Sequence, residues 1–282
     1  MQVVCKAIFV CYTLGMGKTM LIAGKEMPAG ERFADAVVKG ARNVIITVEE
    51  LPADDYIKKT IAEKRAAALL EEELKAKEAA TGICTIGWSK VSPISARTLI
   101  LQTENFFERM DEAVLYFDED WLAQSQGLLD AEECSRVADE LIVGFQHLTL
   151  EVLVRFEKLN NEGNPGILVF LLRDSPSVAD ALRVPSLRNG VNGIASPVIA
   201  AATSAFASFA ENIAAVYFES SFVNIVLVRC DKSIEDAELA RWLTSHLDAM
   251  MAPKTKASAK KTIGWIKPGA KTGGMFGGRL KF

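Results

Sequence analysis

The sequence has little of the chemistry from which metal centres and disulfide frameworks are built. It contains two histidines and five cysteines among 282 residues, and the cysteines are widely scattered. No two cysteines have the spacing of a zinc or redox motif, so we expect reduced, buried thiols and no bound metal. His147 and His246 have no ligand partners at metal spacing, and we predict a structural role for each.

Long apolar runs are missing as well. Half of the residues are hydrophobic, yet no uninterrupted apolar run reaches the roughly 18 residues that a membrane-spanning helix needs. We therefore expect no membrane span and predict a cytoplasmic protein. The length is sufficient for one large domain with a sizeable core, or for a domain with appendages.

Acidic residues are absent from one end of the chain. Residues 251–282 carry eight basic residues and no acidic one, which leaves 24 basic and 36 acidic residues in the first 250, a net charge of −12. We interpret residues 251–282 as a flexible basic arm that docks on an acidic protein partner or on the acidic body of a neighbouring subunit. A solvated tail is the alternative, and we do not expect nucleic acid as the partner.

Short, continuously apolar segments alternate with longer helical patterns along the chain. Strands that are apolar throughout are typical of a parallel sheet covered by helices on both faces. The alternation predicts an α/β fold with a doubly wound parallel sheet. Strands are predicted at 19–24, 43–48, 82–87, 112–117, 166–172 and 222–228, and helices at 30–40, 53–79, 93–109, 130–159, 197–218 and 233–250.

The chain is predicted to have three parts. Residues 1–18 lack clear strand–turn–helix order and are interpreted as an N-terminal extension, with a misassigned start as one explanation. Residues 19–250 form the α/β domain, and residues 251–282 form the basic arm. Helices 137–156 and 197–218 have little polar surface, and a helix that is apolar all round needs cover on every side. We therefore predict a homo-oligomer that assembles through these two helices.

Two glycines punctuate the turn after the first predicted strand. Gly24 follows the strand and Gly30 precedes the first helix, in the segment AGKEMPAG. This segment resembles the Thr-Gly-x-x-x-Gly-x-Gly turn of the short-chain dehydrogenases/reductases, which implies a Rossmann-type fold and a nicotinamide dinucleotide cofactor. Ala23 stands at the threonine position, and Pro28 replaces the glycine that lets the backbone approach the pyrophosphate. Gly24 and Gly30 are the predicted cofactor-binding glycines.

An acidic residue ends the second predicted strand. Glu49 lies 19 residues after Gly30, where an acidic side chain can bind the ribose 2′-hydroxyl and favour NAD over NADP. A solvated acid at a strand end is the alternative, and the sequence leaves the two open. Lys25, within the glycine turn, is a candidate to meet a cofactor phosphate in a protein that binds one.

The resemblance covers most of residues 19–250, but its catalytic motif is altered. The family transfers a proton through Tyr-x-x-x-Lys, and none of the four tyrosines is followed by lysine four residues later. On the helix near residue 200, Ile199 falls at the tyrosine position and Thr203 at the lysine position. Ser175 or Ser177 lies near the expected serine.

The motif at the end of the fourth strand is altered too. The family shows Asn-Asn-Ala-Gly there, whereas this chain has Tyr116-Phe117-Asp118-Glu119, followed by Asp120. Acidic side chains at that position would repel a pyrophosphate. We expect this change and the preceding ones to weaken cofactor binding and to remove the family's proton relay.

These substitutions favour a non-catalytic protein of short-chain dehydrogenase-like fold that serves as a structural, assembly or protein-interaction component. No catalytic residue is predicted and no cofactor is expected, with NAD as the candidate if one binds. The alternatives are an NAD(P)-dependent oxidoreductase with a diverged site, which would recruit Tyr116 or Tyr217 as its acid, and a sensor that binds NAD without catalysis.

Overall fold

A single parallel sheet organises the protein. The computed structural model describes residues 17–49, 82–124, 129–159, 165–175, 178–183, 196–251 and 263–269. The six predicted strands are confirmed, with small shifts at their ends, and lie in the order β3-β2-β1-β4-β5-β6. Their bounds are β1 Lys18–Ala23, β2 Arg42–Glu49, β3 Ile83–Trp88, β4 Glu112–Asp118, β5 Gly166–Asp174 and β6 Val223–Asp231.

The middle of the sheet is closed to solvent on both faces. Leu21 and Ile22 of β1 and Ala113 and Val114 of β4 have no exposed surface. This explains why these strands are apolar at every position rather than at alternate ones. From β1 the chain builds outward in one direction through β2 and β3, and in the other through β4, β5 and β6. The topological switch point therefore lies between β1 and β4.

Helices cover the sheet in two layers. Among the described residues the helices are α1 Glu31–Lys39, α2 Pro93–Phe107, α3 Glu119–Gln124, α4 Ala131–Val137, α5 Gly144–Leu159, α6 Val178–Arg183, α7 Pro197–Val216 and α8 Asp236–Met251. One layer contains α1 and α8, and the other contains α2, α4, α5 and α7.

Side-chain caps fix where three of these helices begin. The Ser92 hydroxyl accepts the Ser95 N–H at 3.2 Å, and the Ser196 hydroxyl accepts the Ile199 N–H at the same distance. In both cases a proline follows the cap, where its missing N–H costs nothing. The Asp130 carboxylate caps α4 by accepting the Glu133 N–H at 2.8 Å.

One predicted helix differs in the structure, one observed helix was not predicted, and one predicted helix is not tested. The helix predicted at 130–159 is divided by a π-helical segment, Ala138–Val143, between α4 and α5. The short helix α3, which begins directly after β4, was not predicted because six residues carry too little periodicity. The helix predicted at 53–79 lies outside the described residues.

Helix α7 is long and apolar enough, by length and composition, to cross a membrane, although its apolar residues do not form one uninterrupted run. In the fold it is a core helix: Ile199, Phe206 and Ala210 are buried against the sheet. The sequence predicts that the opposite side is apolar too, but Ser204 and Ser208 are exposed there. A helix with one buried face and small polar residues on the other is a normal component of such a layer.

The two ends of the chain are described only in part. Strand β1 already begins at Lys18, within the predicted N-terminal extension. In the basic arm, the Ile266 N–H donates to Leu227 O at 2.8 Å and Ile266 O accepts the Arg229 N–H at 3.0 Å. These bonds form one parallel bridge, between Ile266 and Val228 of β6.

The described cysteines form no disulfide with one another, as predicted, but only one of them is buried. Cys230 is buried, Cys84 is partly buried and Cys134 is exposed. Burial raises the pKa of Cys230 to about 12, so its thiol is protonated at neutral pH. Within the described ranges, no three histidine, cysteine, aspartate or glutamate residues come together as a metal site.

Candidate functional site

The candidate site is the edge of the sheet where β1 and β4 end, because ligands of this fold class bind at the switch point. Gly24 follows β1 and has φ +106°, a conformation that side chains other than glycine rarely adopt. A Cβ atom at Gly24 would lie 2.5 Å from Tyr116 O and 2.6 Å from Phe145 Cζ. The turn therefore requires glycine for its backbone shape and for its packing.

The second predicted glycine lies at the start of α1. A Cβ atom at Gly30 would lie 2.4 Å from Lys25 O and 2.5 Å from Ile46 Cδ1. Gly30 thus allows the helix to approach the strands closely, which is the role of the last glycine in a dinucleotide turn. The structure brings Gly24 and Gly30 together in one turn, as the sequence predicts.

Three backbone donors of this turn are used inside the protein. The Met27 N–H donates to Thr47 O at 3.0 Å, the Gly30 N–H to Glu26 O at 3.0 Å, and the Glu31 N–H to Pro28 O at 3.1 Å. Pro28, which follows a cis peptide bond, has no N–H. In a dinucleotide site, N–H groups at the helix start point at the pyrophosphate. Here the N–H groups of Gly30 and Glu31, at the start of α1, already have protein acceptors.

A cluster of largely buried charged side chains lies next to the turn. The Lys25 ammonium donates to Asp118 Oδ2 at 2.7 Å and to Asp236 Oδ2 at 2.8 Å. Arg173 Nη1 donates to Asp236 Oδ1 at 2.8 Å and to Asp118 Oδ2 at 3.3 Å. The Tyr116 hydroxyl donates to Asp236 Oδ1 at 2.8 Å. These five residues, which we call the ionic cluster, connect the ends of β1, β4 and β5 to the start of α8.

The ionic cluster is balanced internally, with two cations facing two carboxylates. Burial opposes ionisation of Asp236, but the hydrogen bond and charge of Lys25 outweigh it and lower the pKa of that carboxyl. Burial, together with the charge of Asp236, raises the pKa of Tyr116 well above its usual value. Lys25, a sequence candidate to meet a cofactor phosphate, is held instead by two buried carboxylates. Asp118, expected to repel a pyrophosphate, is neutralised by Lys25 and Arg173.

Glu49 lies at the edge of the sheet where the strands end, but it does not belong to the ionic cluster. It is the last residue of β2, is exposed, and pairs in register with Trp88 of β3. Its carboxylate can reach a ligand from solvent, so the two interpretations of Glu49 stay open.

The two altered catalytic positions, Ile199 and Thr203, lie on α7, in the helix layer opposite to that of α1 and α8. Ile199 is 1% exposed and belongs to the apolar core. The Thr203 hydroxyl donates to Ile199 O at 2.9 Å. The tyrosines considered as substitute acids lie elsewhere: Tyr116 belongs to the ionic cluster, and Tyr217, at the far end of α7, packs on Phe222.

One acidic group near these positions was not singled out from the sequence as a candidate acid. Glu119 is buried after β4, and its Oε2 accepts the Ser175 N–H at 2.8 Å. Burial raises the pKa of Glu119, opposed by its hydrogen bonds with Ser175 and Thr203. The Ser175 hydroxyl is buried and has no hydrogen-bond partner among the described residues. The sequence contained a signal for this pair, since Glu119 directly follows β4 and Ser175 directly follows β5, and these two strands are neighbours in the sheet. Ser177 lies outside the described residues.

Two cavities are formed away from the glycine turn. One, of about 210 Å³, lies at the opposite edge of the sheet beside Lys18, Arg109 and Met251. The other, of about 130 Å³, is mostly apolar and lies beneath Ile266 at the outer edge of β6. In the first cavity, Lys18 and Arg109 are paired with acidic neighbours.

Comparison with solved structures gives one consistent result. A short chain dehydrogenase from Mycobacterium smegmatis superposes with a TM-score of 0.55 at 17% identity, covering 92% of this chain and 94% of its own. The chain has the fold of the short-chain dehydrogenases and reductases. A short chain dehydrogenase from Bacillus anthracis gives 0.53 at 13% identity, covering 89% and 95%. The 3-ketoacyl-(acyl-carrier-protein) reductase from Brucella melitensis, a complex with NADH, gives 0.52 at 14%, covering 90% and 98%.

Sequence comparison adds nothing to this likeness. Neither a scan with family models nor a search of curated protein sequences finds a match. The resemblance inferred from the glycine turn is therefore confirmed at the level of the Rossmann-type fold. At such low identity, the activities and ligands of the solved dehydrogenases remain properties of those proteins.

Proposed function

We propose that this short-chain dehydrogenase-like protein is non-catalytic and serves as a structural or protein-interaction component. The observation that carries the proposal is that three of the turn's backbone donors bind the carbonyl oxygens of Glu26, Pro28 and Thr47. A dinucleotide bound in the family's manner would have to break those hydrogen bonds, and each buried group left unpaired would cost about 1–3 kcal/mol.

The catalytic positions support the same proposal. A short-chain dehydrogenase hands a proton to its substrate through a tyrosine whose pKa a lysine lowers. Ile199 and Thr203 cannot perform those roles, because one is a buried hydrocarbon and the other has no positive charge. In this account the sheet and its glycine turn are retained as a scaffold, stabilised by the ionic cluster.

The test is calorimetric titration of the purified protein with NAD(H) and NADP(H), with thermal denaturation in parallel. We expect no binding heat and no rise in Tm at millimolar ligand. A ligand at a hundred times its Kd would stabilise the protein by about 2.7 kcal/mol, which denaturation detects readily. Micromolar binding that Glu49→Gln weakens would overturn the proposal and favour the NAD sensor or the oxidoreductase.

A second candidate, an NAD(P)-dependent oxidoreductase with a diverged site, is favoured by one observation. Glu119, with its raised pKa, and the unpartnered Ser175 hydroxyl lie together at the ends of β4 and β5. A carboxyl group that stays protonated at higher pH can act as a general acid. This candidate predicts carbonyl reduction that Glu119→Gln abolishes, whereas a non-catalytic protein shows no turnover in either form.

The remaining predicted partner is an acidic protein that binds the basic arm, residues 251–282. Part of this arm joins the sheet: Ile266 bridges to β6, and Trp265 Nε1 donates to Glu211 Oε1 at 2.6 Å. We propose that the eight positive charges of residues 251–282 are the docking element, because no acidic residue lies among them. Pull-down with the truncated and full chains tests this.

A further inference from the structure

Lys90 lies in the turn between β3 and α2, and its side chain is largely buried. Only 13% of that side chain is exposed, although lysine is rarely buried unless its charge has a partner. Its ammonium makes an ion pair with Glu26, whose side chain is 5% exposed, and the distance from Lys90 Nζ to Glu26 Oε1 is 2.8 Å. Neither residue belongs to the ionic cluster.

Two tryptophan rings complete the surroundings of this ammonium. Lys90 Nζ lies 5.8 Å from the ring centroid of Trp88 and 6.0 Å from that of Trp121. A cation over an aromatic face at such a distance is attracted by the ring, and more strongly where water is excluded. Glu26, Trp88 and Trp121 therefore offer an ammonium one carboxylate and two aromatic faces. We call these three residues the Lys90 cage.

The Lys90 cage spans the switch point of the sheet. Glu26 belongs to the turn after β1, Trp88 ends β3, and Trp121 lies in α3, directly after β4. The switch point lies between β1 and β4. The Lys90 ammonium is thus held between the segments that follow these two strands, across the crevice where this fold class binds its ligands.

The backbone around Lys90 is held in place by its own contacts. The Ser89 N–H donates to the Ser95 hydroxyl at 2.9 Å, and the Ser92 N–H donates to Ser89 O at 3.1 Å. A Cβ atom at Gly144 would lie 2.6 Å from Lys90 O, so the start of α5 packs directly on the Lys90 backbone. Because the turn is ordered by these contacts, placing the ammonium in the cage requires little further ordering of the backbone.

We propose that the Lys90 cage is an ammonium-binding site whose resident ligand is the chain's own Lys90, and that this contact closes the crevice between β1 and β4. A ligand that enters there must displace the ammonium and leave the buried Glu26 carboxylate without this partner, which is costly. Burial raises the pKa of Glu26 and the charge of Lys90 opposes that rise, so Lys90 favours the charged form of this carboxyl. The inference rests on the proposed function, because a crevice closed by the protein's own side chain suits a scaffold.

Chemical rescue tests the Lys90 cage. Lys90→Ala removes the side chain beyond Cβ, and n-propylammonium supplies the missing atoms as a free cation. We expect the variant to lower Tm by about 5 °C or more. Millimolar n-propylammonium at constant ionic strength should recover at least half of that loss. In the NMR spectrum of the variant it should shift the indole N–H signals of Trp88 and Trp121 and leave those of Trp242 and Trp265 unchanged.

Two variants are the controls for this rescue. In Lys90→Ala/Glu26→Gln the carboxylate of the cage is missing, so n-propylammonium should not raise Tm. Lys232→Ala removes an exposed ammonium that lies 3.8 Å from Asp120, and n-propylammonium should not change its Tm either. A folded Lys90→Ala protein with the wild-type Tm, or one that n-propylammonium stabilises no more than the controls, would overturn the proposal.

Lys90→Met supplies the deciding measurement if Lys90→Ala does not fold. Methionine fills much of the same volume without a charge, so this variant should fold with a lowered Tm and show no response to n-propylammonium. A Tm equal to that of the wild type would contradict the Lys90 cage. Titration of the wild type with NADH alone tests the proposed function separately: NADH binding would overturn that function, whereas an absent rescue would overturn only the cage.

Discussion

Removal of Lys25 should be among the most damaging single substitutions in this protein. Lys25→Met keeps the length and apolar stem of the side chain but removes the ammonium that both carboxylates of the ionic cluster share. The side chains of Lys25, Asp118 and Asp236 are only 7%, 3% and 12% exposed. Asp118 and Asp236 would then share the single positive charge of Arg173, which leaves one buried negative charge uncompensated.

The expected cost follows from that unbalanced charge. Breaking a buried ion pair by removing one partner destabilises a protein by about 3–5 kcal/mol. For a chain of this size each kcal/mol lowers Tm by roughly 2–4 °C, so a fall of about 6 °C or more is expected. Urea denaturation near neutral pH measures the change in the free energy of unfolding. Lys232→Met is the control, because Lys232 is exposed and 3.8 Å from Asp120, and should change stability by less than about 0.5 kcal/mol.

The same variant should respond to pH in a defined direction. In the wild type the pKa of Asp236 is lower in the folded protein than in the unfolded chain. Its contribution to stability is therefore present at pH above the pKa of the unfolded chain and is lost as pH falls through the pKa of the folded protein. In Lys25→Met the carboxylate of Asp236 loses that partner and accepts a proton more readily. The gap between variant and wild type should therefore narrow as pH falls toward about 4. A cost below about 1 kcal/mol at neutral pH, or a gap that does not depend on pH, would refute this reasoning.

Three further predictions concern the glycine turn, the arm and the buried acid. Gly24→Ala should destabilise the protein by about 3 kcal/mol or more in thermal denaturation, because of its positive φ and its contact with Tyr116 O; unchanged stability would contradict the described turn. Truncation after Gly269, which removes three of the arm's eight positive charges, should leave Tm unchanged and weaken salt-sensitive pull-down of an acidic partner, whereas truncation after Met250 should abolish the pull-down and also lower Tm. The pKa of Glu119 is higher in the folded protein than in the unfolded chain. The free energy of unfolding of the wild type therefore falls as pH rises between these two pKa values, and Glu119→Gln should become more stable relative to the wild type across that pH interval.

The fold could be predicted because its evidence is local. The segments that became β4 and β5 are apolar at nearly every position, and the structure buries both faces of each. Gly24 and Gly30 were placed correctly because a turn between a strand and a helix has backbone requirements that only particular residues meet.

The ionic cluster could not be predicted because its partners are distant in sequence. Lys25 lies 93 residues from Asp118 and 211 from Asp236, and hydrophobic periodicity says nothing about which charges meet at a sheet edge. For this reason the sequence suggests that Asp118 is an unpaired acid, whereas in the fold its charge is balanced by Lys25 and Arg173. The break between α4 and α5 was missed for a similar reason, since a π-helical segment leaves the apolar pattern almost unchanged.

The most direct test of the central claim is residue-specific. An amide NMR titration with NADH follows the Met27, Gly30 and Glu31 N–H groups, which donate within the protein in this structure. We predict that these three signals do not move at millimolar NADH. Saturable shifts of the three signals at micromolar NADH would contradict the account, because they would show that the turn releases its donors to a pyrophosphate.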